Sequence, residues 1–100
     1  MDKLAAMTLA AEISSRDAGA LTRTNIALLT AARAVVGARA GERRATDFYE
    51  IAADASVDPA HAIAQITSLA ILALGAFDAL ATIRGETVDA TLQRLGIIIA

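Results

Sequence analysis

Asp58-Pro59 opens, and Gly85 closes, a run reading DPAHAIAQITSLAILALGAFDALATIRG over positions 58–85. An Asp side chain can accept from the free N–H groups at a helix start. A proline at the first helical position lacks only an N–H that would have no partner there. Glycine tolerates the left-handed backbone on which helices commonly stop. The punctuation and the alanine-rich interior predict one long helix from about Pro59 to Arg84. Strand signals are nearly absent elsewhere, since Ile97-Ile98-Ile99 is the one β-branched run. The chain is therefore expected to be all-α: a small bundle of four to five helices around a long central helix at about 59–84, forming a single helical domain over 1–100.

From Pro59 to Phe77 there are 19 residues without a formal charge, close to the length of a membrane span. Against a span stand His61, Gln65, Thr67 and Ser68 inside the stretch, and Asp58 and Asp78 at its borders. Flanking Lys/Arg and aromatic belts are also missing, and alanine contributes little to insertion. A buried central helix with no membrane partner is the expectation. Ile63, Ile66, Ala70, Leu74, Phe77 and Ala81 form one broad apolar face suited to the domain's core. The opposite face carries Gln65, Ser68, Leu72, Gly75, Ala79 and Thr82, mostly small, and reads as a candidate helix-packing interface.

Four further helices flank this one. The first is expected over about Asp2–Ile13, with Leu4, Met7 and Ala11 on one stripe, Leu9 and Ile13 beside it, and a break at Ser14-Ser15. The second is expected over Ala18–Ala38, with Leu21, Leu28, Leu29, Ala32, Val35 and Val36 on one face. Asn25 interrupts that face. A buried amide must find partners and can fix helix register, so Asn25 is a candidate buried polar residue. So is Asp78, which borders the apolar side of the long helix. A short third helix is expected to start near Thr46 or Asp47, with Glu50 completing a capping-box variant. Arg39, Arg43 and Arg44 precede it, a basic run at a helix end facing Asp47, Glu50 and Asp54 and read as mostly solvated charge. The last helix is expected after a Thr87 cap, with Val88, Leu92 and Leu95 inward.

Ile51-Ala52-Ala53-Asp54-Ala55-Ser56-Val57-Asp58-Pro59-Ala60 resembles the first helix and turn of a DNA-binding helix-turn-helix. The resemblance covers about twenty residues and departs in its second half. The large residues fall at Ile63 and Ile66, one position from where a recognition helix packs. The groove-facing positions would be Pro59, Ala60, His61, Ile63 and Ala64, none of a type that reads base edges or phosphates. The resemblance implies a helix-turn-helix transcriptional regulator, which stands as the alternative function.

Composition narrows the rest. The 100 residues include no Cys and one His, which excludes disulfide scaffolds, thiol catalysis, zinc knuckles and multi-histidine metal sites. A pI near 5.2 and a net charge of −2 give no broad positive field, so nucleic acid is not an expected partner. Alanine supplies 26 of the 56 apolar residues. It costs no side-chain entropy in a helix and buries little area, favouring close helix approach over a thick core. No phosphate loop, paired carboxylates or Ser-His-Asp arrangement can be assembled, so no enzyme activity, cofactor or metal is expected. The N-terminus MDKLAAMTLAAE lacks the form of a signal peptide, and a cytoplasmic location is expected. The predicted function is non-enzymatic, acting through self-association, most simply as a dimer, or through binding another protein. The mean hydropathy of +0.53 motivates it.

Overall fold

The computed structural model describes the backbone over residues 2–37 and 42–99, and side chains over 2–33 and 46–96. The fold is all-α, with α1 Lys3–Arg16, α2 Ala18–Gly37, α3 Glu42–Ala55, α4 Pro59–Arg84 and α5 Val88–Ile99. Two compact units divide it, Met1–Leu69 and Ala70–Ala100, with the boundary inside the continuous α4. Arg39, and the side chains of Val35, Val36, Arg43, Arg44 and Ile97–Ile99, lie outside the described residues.

Each helix end has a local cause. Asp2 caps α1, its Oδ1 accepting from the Ala5 N–H at 2.7 Å. The predicted break at Ser14-Ser15 does not occur; α1 runs on to Arg16, and Asp17 donates its N–H to the Ile13 carbonyl at 2.8 Å. Two serines cost only tenths of a kcal/mol each in a helix, roughly 0.5 relative to Ala, and packing of Ile13 outweighs that. The third helix starts at Glu42, earlier than the predicted Thr46 or Asp47. Glu, Arg and Ala at 42–45 are all good helix formers, so the capping residues near Asp47 lie inside the helix. The turn before α4 is three residues, Ser56–Asp58. The Asp58 Oδ1 accepts from the His61 N–H at 2.8 Å, as the Asp-Pro punctuation predicts.

Gly85 ends α4 with φ +67. Its N–H reaches the Thr82 carbonyl at 3.2 Å and the Glu86 N–H reaches that of Ala81 at 3.0 Å, the paired bonds of a Schellman stop. Thr87 then caps α5, accepting from the Ala90 N–H at 3.1 Å. The tail at Ile97–Ile99 continues that helix.

In the first unit Ala10 and Ile13 of α1, Leu21 of α2, and Ala60 and Ala64 of α4 form one buried cluster, with Leu9 and Ile63 partly buried against it. Alanines at i and i+4 let the α4 backbone come close. That selects a different side of α1 from the predicted one: Ala6, Ala10 and Ile13 are buried, whereas Leu4 and Met7 are exposed. On α2, Leu21, Asn25 and Leu28 point inward at i, i+4 and i+7, and Leu29 is exposed. In the second unit Ala81 and Thr91 are buried, while Leu92, expected inward, is exposed. The Thr91 hydroxyl donates to Glu86 Oε1 at 3.0 Å, and Arg94 donates to Glu86 Oε2 at 2.6 Å.

Candidate functional site

The small-residue face of α4 divides where the two units meet. Its first part is already occupied within the chain. Gln65 Nε2 donates to the Leu21 carbonyl at 2.9 Å and to Asn25 Oδ1 at 2.5 Å. Asn25 Nδ2 in turn donates to Ser68 Oγ at 2.8 Å. Asn25 is 2% exposed and Gln65 8%. A buried amide without partners costs roughly 1–3 kcal/mol, so this relay fixes the register of α2 against α4. Asn25 is thus buried where the sequence placed it, and Gln65 and Ser68 face α2 of their own chain.

The remaining positions are open. Leu72, Gly75, Ala79 and Thr82 are exposed, and a Cβ built on Gly75 meets nothing within 4 Å. The face assigned to the core fares differently from its prediction. Ala81 is buried and Ile63 and Phe77 are half-buried, but Ile66, Ala70 and Leu74 are exposed. Asp78 is exposed as well, which corrects its assignment as a buried polar group. An ionised carboxylate is costly to bury without a partner, and α4 leaves this position in solvent.

The outcome is a helix of 26 residues with an apolar 18-residue window in which only 6% of the residues are buried. Ile66, Ile71 and Ile83 are each at least two-thirds exposed. By length and composition α4 is also the one helix among the described residues able to cross a membrane.

Two of the concave features on the first unit are lined by α2. A cleft of about 360 Å³ gathers Asp17, Thr24, Asp54, His61 and Gln65. The His61 ring nitrogen Nδ1 sits 3.2 Å from Asp58 Oδ2. The His61 backbone N–H holds the Asp58 carboxyl below the ordinary carboxylate range; partial desolvation opposes this, and the imidazole's charge and hydrogen bond reinforce it. Among the described residues the imidazole hydrogen-bonds to Asp58 alone, so no nucleophile is paired with it. The Asp58 carboxylate thus caps α4 through the His61 N–H and also meets the imidazole of the same residue. A second, larger groove runs between α2 and α3 and is lined by Asp47, Glu50 and Asp54 on one side. Among the described residues no group of three His, Cys, Asp or Glu could hold a metal ion.

The α3–turn–α4 succession has the element order of a helix-turn-helix. Its second helix, however, turns Ala60 and Ala64 into the core at 0% exposure, where a DNA reader presents such positions to the groove. Comparison with protein-family models, curated proteins and solved structures finds no match.

Proposed function

We propose that the chain is a non-enzymatic association module. It binds a second helical surface, in the first place another copy of itself, through the exposed half of α4. The observation that carries the reading is that only 6% of the residues in an 18-residue apolar window of α4 are buried. An apolar helix without a polar face is normally covered on all sides. Leu72, Gly75, Ala79 and Thr82 line a strip on which a second backbone can approach closely, and Ile71, Leu74 and Ile83 flank it with aliphatic area. Closed twofold pairing satisfies both copies with one patch.

The DNA-binding alternative draws support only from the element order of α3 and α4, and the burial of Ala60 and Ala64 weighs against it. A membrane span would require the Gln65–Asn25–Ser68 relay to open, or Asp78 to enter hydrocarbon. The test is light scattering coupled to size exclusion over a wide concentration range, with and without neutral phospholipid vesicles. Mass rising toward twice 10.3 kDa with concentration is expected. A strict monomer at high micromolar concentration refutes self-association, and co-elution with vesicles assigns the helix to the bilayer instead.

A further inference from the structure

The groove between α2 and α3 has a volume of about 740 Å³ and two unlike walls. On the α2 side stand Ala27, Thr30 and Ala31. Their side chains are small, and the Thr30 hydroxyl is turned back on the Ile26 carbonyl at 2.8 Å. This wall therefore offers aliphatic surface and no free donor. On the α3 side stand Asp47, Glu50 and Asp54, all exposed, with the half-buried Ile51 between them.

The acidic wall is electrostatically unfavourable as it stands. The three carboxylates recur at i, i+3 and i+7, so each repels a neighbour one turn away. Asp54 lies in the last turn of α3, beside the negative pole of the helix, and no basic residue occupies that turn. Among the described residues none of the three has an ion-pair partner. An apolar trough with cation-seeking groups along one edge is complementary to a helix with an aliphatic stripe and Lys or Arg beside it. The stems of such side chains cover apolar surface while their heads remain at the rim.

We propose that this groove binds a basic amphipathic helix supplied by a partner protein. Ala27, Ala31 and Ile51 receive its aliphatic stripe, and Asp47, Glu50 and Asp54 receive its cations. The inference rests on the protein-binding reading above but uses a different surface, so the two can fail separately.

The test uses the full chain and a fluorescein-labelled peptide of about 16 residues, roughly four helical turns. Its Leu and Lys are arranged to segregate on a helix. A control peptide of the same composition has that segregation scrambled. Fluorescence anisotropy is read at low and at physiological salt. The wild type should bind the amphipathic peptide about tenfold or more tightly than the scrambled one. Glu50→Gln with Asp54→Asn should weaken that binding by about tenfold or more and flatten its salt dependence. Ala27→Arg, which puts the chain's own cation in the trough, should do the same. Gly75→Leu should leave the peptide affinity unchanged.

Absence of binding by the folded wild type overturns the proposal. So does equal binding of the scrambled peptide, or undiminished binding by the carboxylate variant. Loss of binding in Gly75→Leu would place the peptide on α4. If the carboxylate variant instead loses self-association, the groove belongs to a second copy and the proposal fails. Circular dichroism of each variant confirms that the fold is retained.

Discussion

Replacing Gly75 separates what the chain needs from what a partner needs. Within one chain a Cβ at this position meets nothing within 4 Å, and the residue lies mid-way along α4. Gly75→Ala should therefore stabilise the monomer, because glycine in a helix interior costs about 0.5–1 kcal/mol relative to alanine. Gly75→Leu should gain nearly as much, since leucine is close to alanine in helix propensity. If a second copy approaches at this strip, the same leucine meets an opposing backbone. Overpacking of that kind costs about 1–3 kcal/mol, a dissociation constant raised about 5- to 150-fold. The two effects have opposite signs and are read by different assays. Urea unfolding at low concentration reports the monomer, and sedimentation equilibrium reports association. Gly75→Leu should raise the urea midpoint in dilute solution and weaken self-association. Unchanged association in Gly75→Leu would refute the placement of the seam, and a lowered midpoint in dilute solution would show that α4 is covered there by its own chain.

Further substitutions probe the fold that holds this surface. Gln65→Ala, which strands Asn25 Oδ1 and opens the relay to Ser68, should lower stability by about 1–3 kcal/mol in urea titration. Gly85→Ala places a Cβ on a left-handed residue with open space around it, so the backbone alone should cost about 1–2 kcal/mol, read as a lowered thermal midpoint. Asp58 has a carboxyl held below its ordinary value. Its cap therefore contributes fully above the unfolded pKa of about 3.9 and is lost as pH falls through the lower folded value. Asp58→Asn keeps a capping acceptor without that titration, so melts of the two proteins should differ most above this range and converge in acid.

The ends of α4 were legible because they depend on backbone chemistry that single residues carry. Pro59 cannot sit deeper in a helix, and Gly85 adopts a φ that other residues avoid. The side of α4 that turns inward was not legible. Apolar residues surround the helix, so no stripe distinguishes a core face, and large aliphatics attract the assignment by size. Packing chose the other side, because Ala60 and Ala64 let α4 approach Ala10, Ile13 and Leu21 more closely than Ile66 would. Asn25 was legible as a polar interruption of an otherwise apolar stripe. Its bond to Gln65 spans 40 positions of sequence and depends on the register between α2 and α4, which neither helix encodes alone. Asp78 shows the converse error. A charge beside an apolar face can be buried or can mark the edge of the solvent, and periodicity does not choose between them.

The prominence of alanine among the buried residues, and of large aliphatics among the exposed ones, ties the fold to the proposed activity. Ala6, Ala10, Ala60, Ala64 and Ala81 are buried, while Leu4, Ile66, Ile71 and Ile83 are among the most exposed apolar residues. A buried alanine removes little apolar area from water, whereas covering a leucine or isoleucine contributes about 1.5–3 kcal/mol. The chain thus secures its helices by close approach and by the Asn25–Gln65–Ser68 relay, and leaves much of its aliphatic area unused. Contiguous apolar surface of this kind marks interaction sites in soluble proteins. Its location on a regular helix matters too, since a rigid element loses little entropy when a partner covers it. A helix pinned at one end by polar bonds and exposed along the other is thereby suited to presenting a fixed apolar strip for docking.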